Sequence, residues 1–241
     1  MGRVDVKVPL RDRLAEALIV QLGVGVPGVA AAPGNSGLAH GDVRSGTGLT
    51  LDPWHVLTNA HVTQDMQLDQ YVVSSRESPP VPRSPGCANR LSIKDVHAHD
   101  AVDVAVIELN KDAGNTGLPT LDGIAFRDPA WADETFVFGY PPVPTLNDAY
   151  LTVQRGEVVN PSAKTTFRES CFLYSAVTRP GNSGGPIVAG DGRVIGIVAH
   201  DAFDKARGEE ARFFRGIPAN TVVGALADLG VAHLTTLEDW S

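Results

Sequence analysis

Three short segments of this chain carry residue types able to move protons and attack a carbonyl. In Val56-Leu57-Thr58-Asn59-Ala60-His61-Val62, a strand-like run gives way to a small-residue turn that presents a histidine. In Val102-Asp103-Val104-Ala105-Val106-Ile107-Glu108-Leu109, an acid stands at the mouth of a mostly apolar strand, where its carboxylate should be partly buried. In Gly181-Asn182-Ser183-Gly184-Gly185-Pro186, a serine lies in a turn so rich in glycine that backbone N–H groups can converge on one point. A serine hydroxyl is a poor nucleophile near neutrality and needs a base within hydrogen-bond reach; an imidazole titrates in the right range. The imidazole needs an acceptor on its other nitrogen to fix its tautomer and orientation, and a carboxylate supplies one. The tetrahedral oxyanion of acyl transfer needs preorganised donors, which glycine turns allow the backbone to provide. The order along the chain, His then Asp then Ser, argues against an α/β-hydrolase, in which the serine comes first.

These segments, in this order, resemble the trypsin-like serine proteases of the chymotrypsin fold, and most closely the bacterial members of the high-temperature-requirement type. Thr58-Asn59-Ala60-His61-Val62, Asp103-Val104-Ala105-Val106 and Pro180-Gly181-Asn182-Ser183-Gly184-Gly185-Pro186 match the family pattern. Gly46-Thr47-Gly48 ahead of the histidine and Val194-Ile195-Gly196-Ile197 after the serine match it too, so the likeness runs from about Leu18 to Leu229. The resemblance implies a serine endopeptidase acting on protein or peptide substrates, with no cofactor and no metal. It makes Ser183 the nucleophile, His61 the general base and then acid, and Asp103 the orienting acid. The backbone N–H groups of Gly181 and Ser183 would form the oxyanion hole. A catalytically silent protein-binding module on the same fold is the rival reading.

The resemblance also assigns a substrate pocket to Val177, Thr178, Ala199, His200 and Asp201, with a third wall near Phe213–Gly216. Val177 occupies the position where an acid would select Lys or Arg. A small or medium apolar residue before the scissile bond is therefore expected; the alternative is that His200 or Asp201 reads a polar or basic one. The histidine usual in glutamate-selective relatives would fall at Val198. Asn182 stands where digestive relatives often carry Asp, so activation by a newly cut α-amino group is not expected, and any activation must come from loop ordering.

The elements that must position these residues read as short strands. The chain has 241 residues, 43% hydrophobic and 20% charged, with 25 Gly and 17 Pro, a composition that suits many turns and a sizeable core. Strands are expected at Leu18–Leu22, Thr47–Leu51, His55–Leu57, Gln70–Ser74, Leu91–Ala98, Val104–Leu109, Thr135–Phe138, Leu151–Val159, Cys171–Ala176, Ile187–Ala189, Arg193–Ala199 and Phe213–Ile217. Helix is expected near the ends, at Arg11–Ala17 and at Thr221–Leu229 with Asn220 as N-cap. Ser74–Asn89, with four prolines, should be an exposed loop, and Gly114–Asp133 a connection between two β halves. The fold class is therefore all-β. With the resemblance it becomes two packed six-stranded antiparallel barrels and a short C-terminal helix. The divisions are 1–17 as an extension, 18–117 as the first barrel, 118–219 as the second, and 220–241 as helix and tail.

Other features exclude alternatives. The net charge of −8, without a Lys/Arg cluster, argues against a nucleic-acid partner. Two cysteines, Cys87 and Cys171, cannot make a disulfide scaffold; two separate thiols are expected, with a Cys87–Cys171 pair as the alternative. No uncharged window is apolar enough for a membrane span. Arg11, Arg13 and Ala30-Ala31-Ala32 have the flavour of an export signal, but Glu16 interrupts the apolar stretch; an uncleaved, cytoplasmic chain is expected, with export as the alternative. Asp100 competes with Asp103 for the acid role, and Asp103 is preferred because it directly precedes the apolar run. His97 and His99 share a strand face and read as a solvated pair rather than metal ligands.

Overall fold

The computed structural model describes residues 19–24, 45–64, 71–75, 93–111, 117–118, 124–141, 143, 150–199 and 213–237. The expected helix at Arg11–Ala17, the loop residues after Ser75, Cys87, His200 and Asp201 lie outside the described residues. Strands β1 (Ile19–Val24), β2 (Ser45–Asp52), β3 (His55–Thr58), β4 (Tyr71–Ser75), β5 (Ile93–Ala98) and β6 (Ala105–Leu109) form one antiparallel sheet in the order β4-β1-β2-β3-β6-β5. A second sheet holds β7 (Ala125–Phe126), β8 (Glu134–Gly139), β9 (Thr152–Lys164), β10 (Ser170–Tyr174), β11 (Pro186–Ala189), β12 (Val194–Val198), β13 (Phe214–Pro218) and β14 (Thr236–Leu237). Six of these run β11-β8-β9-β10-β13-β12 and close through the β11–β12 pairing into an antiparallel barrel. Two short helices complete the described chain, α1 (Ala60–Thr63) and α2 (Ala219–Asp228), with a 3₁₀ turn at Ala232–Leu234. The fold is the mostly-β, chymotrypsin-like one. Among the described residues no helix is long and apolar enough to cross a membrane.

Strands β3, β6, β8, β11 and β12 read as near-continuous apolar runs because both of their faces are buried, whereas β5 and β9 are largely exposed and carry polar residues. In β3 and β6, Val56 and Ile107 point into the first sheet's own core with Leu22, Ile93 and Leu109. Their neighbours Leu57 and Val106 point the other way, into a cluster shared with Phe126, Phe136, Phe138, Val188, Ile197, Val222 and Leu226 of the second half. The second barrel repeats the device: Val137, Ile187, Ile195 and Val198 fill its interior with Phe172 and Tyr174. The shared cluster locks the two halves together, so residues at the facing strand ends hold fixed relative positions.

Several local expectations need correction. The stretch Gly114–Asp133 contains β7, which pairs in parallel with β12 and β14 outside the closed ring. Strand β9 continues past Pro161 to Lys164, because a bulge against β10 absorbs the proline's missing donor. Helix α2 starts at Ala219, and Asn220 is not its cap. Instead the Asp128 carboxylate accepts the Asn220 backbone N–H at 2.9 Å and its side-chain amide at 3.0 Å. Asp128 is held in turn by the neighbouring Arg127, a nearly buried guanidinium. Arg127 makes a two-pronged bond to Asp133 at 2.7 and 3.0 Å, a third to Asp191 at 2.8 Å, and a fourth to the Asp128 carbonyl at 2.9 Å. Burial alone would push the Arg127 guanidinium down; its bonds to Asp133 and Asp191 outweigh that and hold it above its ordinary value.

Candidate active site

The β3–β6 register places Thr58 opposite Ala105, so the chain leaving β3 and the chain entering β6 emerge side by side. His61 follows three residues after the first end, and Asp103 precedes the second by two. Asp103 grips residue 61 twice: one carboxylate oxygen accepts the His61 backbone N–H at 2.9 Å and the other meets Nδ1 at 2.7 Å. A carboxylate at Nδ1 fixes that nitrogen as the donor and makes Nε2 the acceptor face of the ring. Asn59 stands at the N-terminus of α1 but does not cap it; its side-chain amide donates to the Asp103 carbonyl at 2.8 Å. Both Asp103 and His61 are partly buried, with side chains 31% and 26% exposed, so the pair is screened but reachable.

The loop 99–104 that carries Asp103 has its own organiser. His99 Nδ1 accepts the backbone N–H groups of Ala101 and Val102 at 3.1 and 3.0 Å. With Nδ1 accepting, the ring proton sits on Nε2, which donates to Asp228 at the end of α2 across 3.3 Å. The expected solvated pair is therefore corrected: His99 is a loop clasp with a side chain only 15% exposed, and His97 leans on Glu108 at 3.7 Å. The Glu108 carboxyl is held below its ordinary value chiefly by its bond from Lys94, against a smaller opposing push from burial.

Ser183 arrives from the second barrel, in the turn between β10 and β11. Its carbonyl accepts the Thr47 backbone N–H of β2 at 2.9 Å. The next residue, Gly184, has φ +80 and sits so close that a Cβ there would stand 2.2 Å from Thr58 Oγ1 and 2.9 Å from the Asn59 nitrogen. The serine turn is thus packed against the residues that lead into His61. Gly181 adopts φ +98, a conformation that favours glycine and lets the turn fold back. Asp103 thus holds His61 directly, and the turn of Gly181 and Ser183 packs on Thr47, Thr58 and Asn59, the residues beside and just ahead of His61. Asp100, bearing no such bonds to residue 61, stays in the loop.

Of the expected pocket residues, Val177 is 46% exposed, Thr178 is half-buried, and Ala199, just past the end of β12, has its N–H on the Arg215 carbonyl at 3.1 Å. Phe213, immediately ahead of β13, is 51% exposed. Cys171 is buried in the second barrel, away from this chemistry. Among the described residues no group of three or more His, Cys, Asp or Glu is arranged to hold a metal. Thr47 and Thr58 stand in the sequence only as parts of family-like motifs, and His99 only as half of a solvated pair; their positioning roles have no signal there beyond polar residues in or beside strands that are otherwise apolar.

This fold is that of a trypsin-like peptidase domain: the family model of that description matches residues 45–197, and the chain belongs to the family. A curated relative, the Arabidopsis thaliana mitochondrial protein classed as Do-like protease 12, is 28% identical over 165 residues, which cover 66% of this chain and 30% of that protein. The chain thus spans less than a third of that relative's length. Among solved structures, the active form of the Rv3671c protease from M. tuberculosis aligns with a TM-score of 0.62 at 21% identity, covering 95% of this chain and 87% of that one. A serine endoprotease from Yersinia pestis aligns with a TM-score of 0.61 at 21% identity, covering 93% and 68%. At these identities the structural matches speak for the fold.

Proposed function

We propose that the chain is a serine endopeptidase that cleaves protein or peptide substrates through an acyl-enzyme. The observation that carries this is the Asp103 carboxylate clasping both the ring and the backbone of His61, at 2.7 and 2.9 Å, beside the Ser183 turn. In the first half-reaction, Ser183 Oγ forms a bond to the substrate carbonyl carbon while its proton passes to His61 Nε2. The oxyanion that develops is taken by the N–H groups of Gly181 and Ser183. Collapse breaks the C–N bond, and Nε2 returns the proton to the leaving amine. Water then repeats the cycle on the ester: Nε2 removes its proton, the carbonyl carbon gains hydroxide, and Ser183 leaves with the proton restored. Asp103 keeps the imidazole in the working tautomer throughout and is not itself protonated. Val177 in the pocket, with no carboxylate at its position, supports a preference for a small or medium apolar residue before the cleaved bond.

A proteome-derived peptide library digested with the whole chain, and in parallel with its Ser183→Ala variant, tests this by mass spectrometry of new termini. Internal cleavages that require Ser183 are expected, with apolar residues of modest size preceding the cut. Identical spectra from both proteins would contradict the peptidase reading and favour a silent binding module. Cleavage confined to Arg or Lys would contradict the pocket reading alone.

A further inference from the structure

Thr47 lies in β2, fully buried, and is the point where the serine turn meets the first sheet. Its hydroxyl donates to the Gly181 carbonyl at 2.7 Å and accepts the Tyr140 backbone N–H at 3.0 Å. A hydroxyl has one proton, so accepting from Tyr140 commits that proton to Gly181. The Thr47 backbone N–H donates to the Ser183 carbonyl at 2.9 Å, and its own carbonyl accepts Thr58 Oγ1 at 2.9 Å. Thr47 is paired with Gln21 of β1, but β2 pairs with β3 only from Leu49 onward, so on the side away from β1 Thr47 bonds to the serine turn and to Thr58 instead of to a β3 ladder.

Each bond fixes a peptide plane of the turn. The plane shared by Gly181 and Asn182 is held at its carbonyl by Thr47 and at its amide by the Arg179 carbonyl, 3.0 Å away. The plane shared by Ser183 and Gly184 is held at its carbonyl by Thr47 and at its amide by the Val198 carbonyl at 3.3 Å. The plane between them, which carries the Ser183 N–H, has its Asn182 carbonyl taken by Gly185 N–H at 2.9 Å. With the flanking planes pinned, the direction of the Ser183 N–H is set before any substrate arrives.

We propose that Thr47 is a positioning residue of the oxyanion hole, orienting its Ser183 N–H donor through the Gly181 and Ser183 carbonyls without touching substrate. This rests on the reading of Ser183 as nucleophile. A hole that is loosened but not removed loses less than the roughly 10²–10³-fold of a deleted donor, so about a 10–100-fold fall in kcat is expected from Thr47→Val. KM should stay within about threefold, because ground-state binding does not use the hole. Thr47→Ser, which keeps the hydroxyl, should restore kcat to within about threefold of the unmodified chain.

The test is steady-state kinetics of the whole chain and both variants on a peptide drawn from the library, with thermal melts confirming folding. Thr47→Ala, which adds no bulk, replaces the valine variant if that one does not fold, with the same expectation. A valine or alanine variant that keeps full kcat would overturn the proposal, as would a serine variant as impaired as the valine one. In either case the unmodified chain's turnover would leave the peptidase reading standing. An unmodified chain without turnover would overturn both.

Discussion

Replacing Gly184 with alanine probes how tightly the serine turn is built into the first sheet. At φ +80 an L side chain is strained, at about 1–2 kcal/mol for a left-handed residue. The new methyl would stand 2.2 Å from Thr58 Oγ1 and 2.5 Å from the Thr47 carbonyl oxygen, both buried and both already bonded. Overpacking of this kind adds about 1–3 kcal/mol, for a total near 3 kcal/mol. For a chain of this size each kcal/mol moves the melting midpoint by about 2–4 °C, so a fall of roughly 6–12 °C is expected. Relief of the clash also displaces the turn by about 1 Å, a misplacement that lowers turnover roughly 10²-fold. Circular dichroism melts and peptide cleavage measured on the same preparation read both effects. A variant melting within about 2 °C of the unmodified chain and cutting at its rate would refute the close approach of the two halves at this point.

Three further outcomes follow from the geometry. His99→Ala removes the acceptor for two loop amides beside Asp103, and kcat should fall about tenfold with KM little changed; Asp228→Ala, at a side chain that is itself 75% exposed, should shift stability by less than about 0.5 kcal/mol. Equal effects of the two would deny the loop-clasp role. Arg127→Met strands two carboxylates around a nearly buried site and should destabilise by about 3 kcal/mol in a denaturant melt; a change under about 1 kcal/mol would contradict it. Burial pushes the Asp191 carboxyl up, but bonds from the Arg193 amide and from Arg127 outweigh it and hold it below its ordinary value. Its stabilising share is therefore complete above the usual carboxylate range and lost as pH falls below about 4. Asp191→Asn should flatten the acid limb of the stability profile, and an unchanged limb would contradict the assignment.

The site's chemistry was legible because each key residue sits in a short local pattern. His61 follows a strand end, Asp103 opens an apolar run, and Ser183 lies among glycines. The inner strands β3, β6, β8, β11 and β12 were legible for the same reason, since burial of both faces leaves apolar runs. What escaped depended on partners distant along the chain. Asn220 looks like a helix cap in isolation, and only Asp128 of a remote turn shows that the cap comes from elsewhere. Pro161 looks like a strand end until the bulge against β10 is seen. Two-residue strands such as β7 carry too little pattern to read at all. Thr47 and His99 are ordinary polar residues in sequence; their roles come from carbonyls and amides that the fold delivers to them.

The proposed peptidase activity requires Ser183 to be a nucleophile activated by His61. Incubating the whole chain with a fluorophosphonate probe and mapping the adduct by mass spectrometry tests that claim most directly. The adduct is expected on Ser183, absent in Ser183→Ala and formed about 10³-fold or more slowly in His61→Ala. Labelling at another residue, or at an undiminished rate without the imidazole, would contradict it.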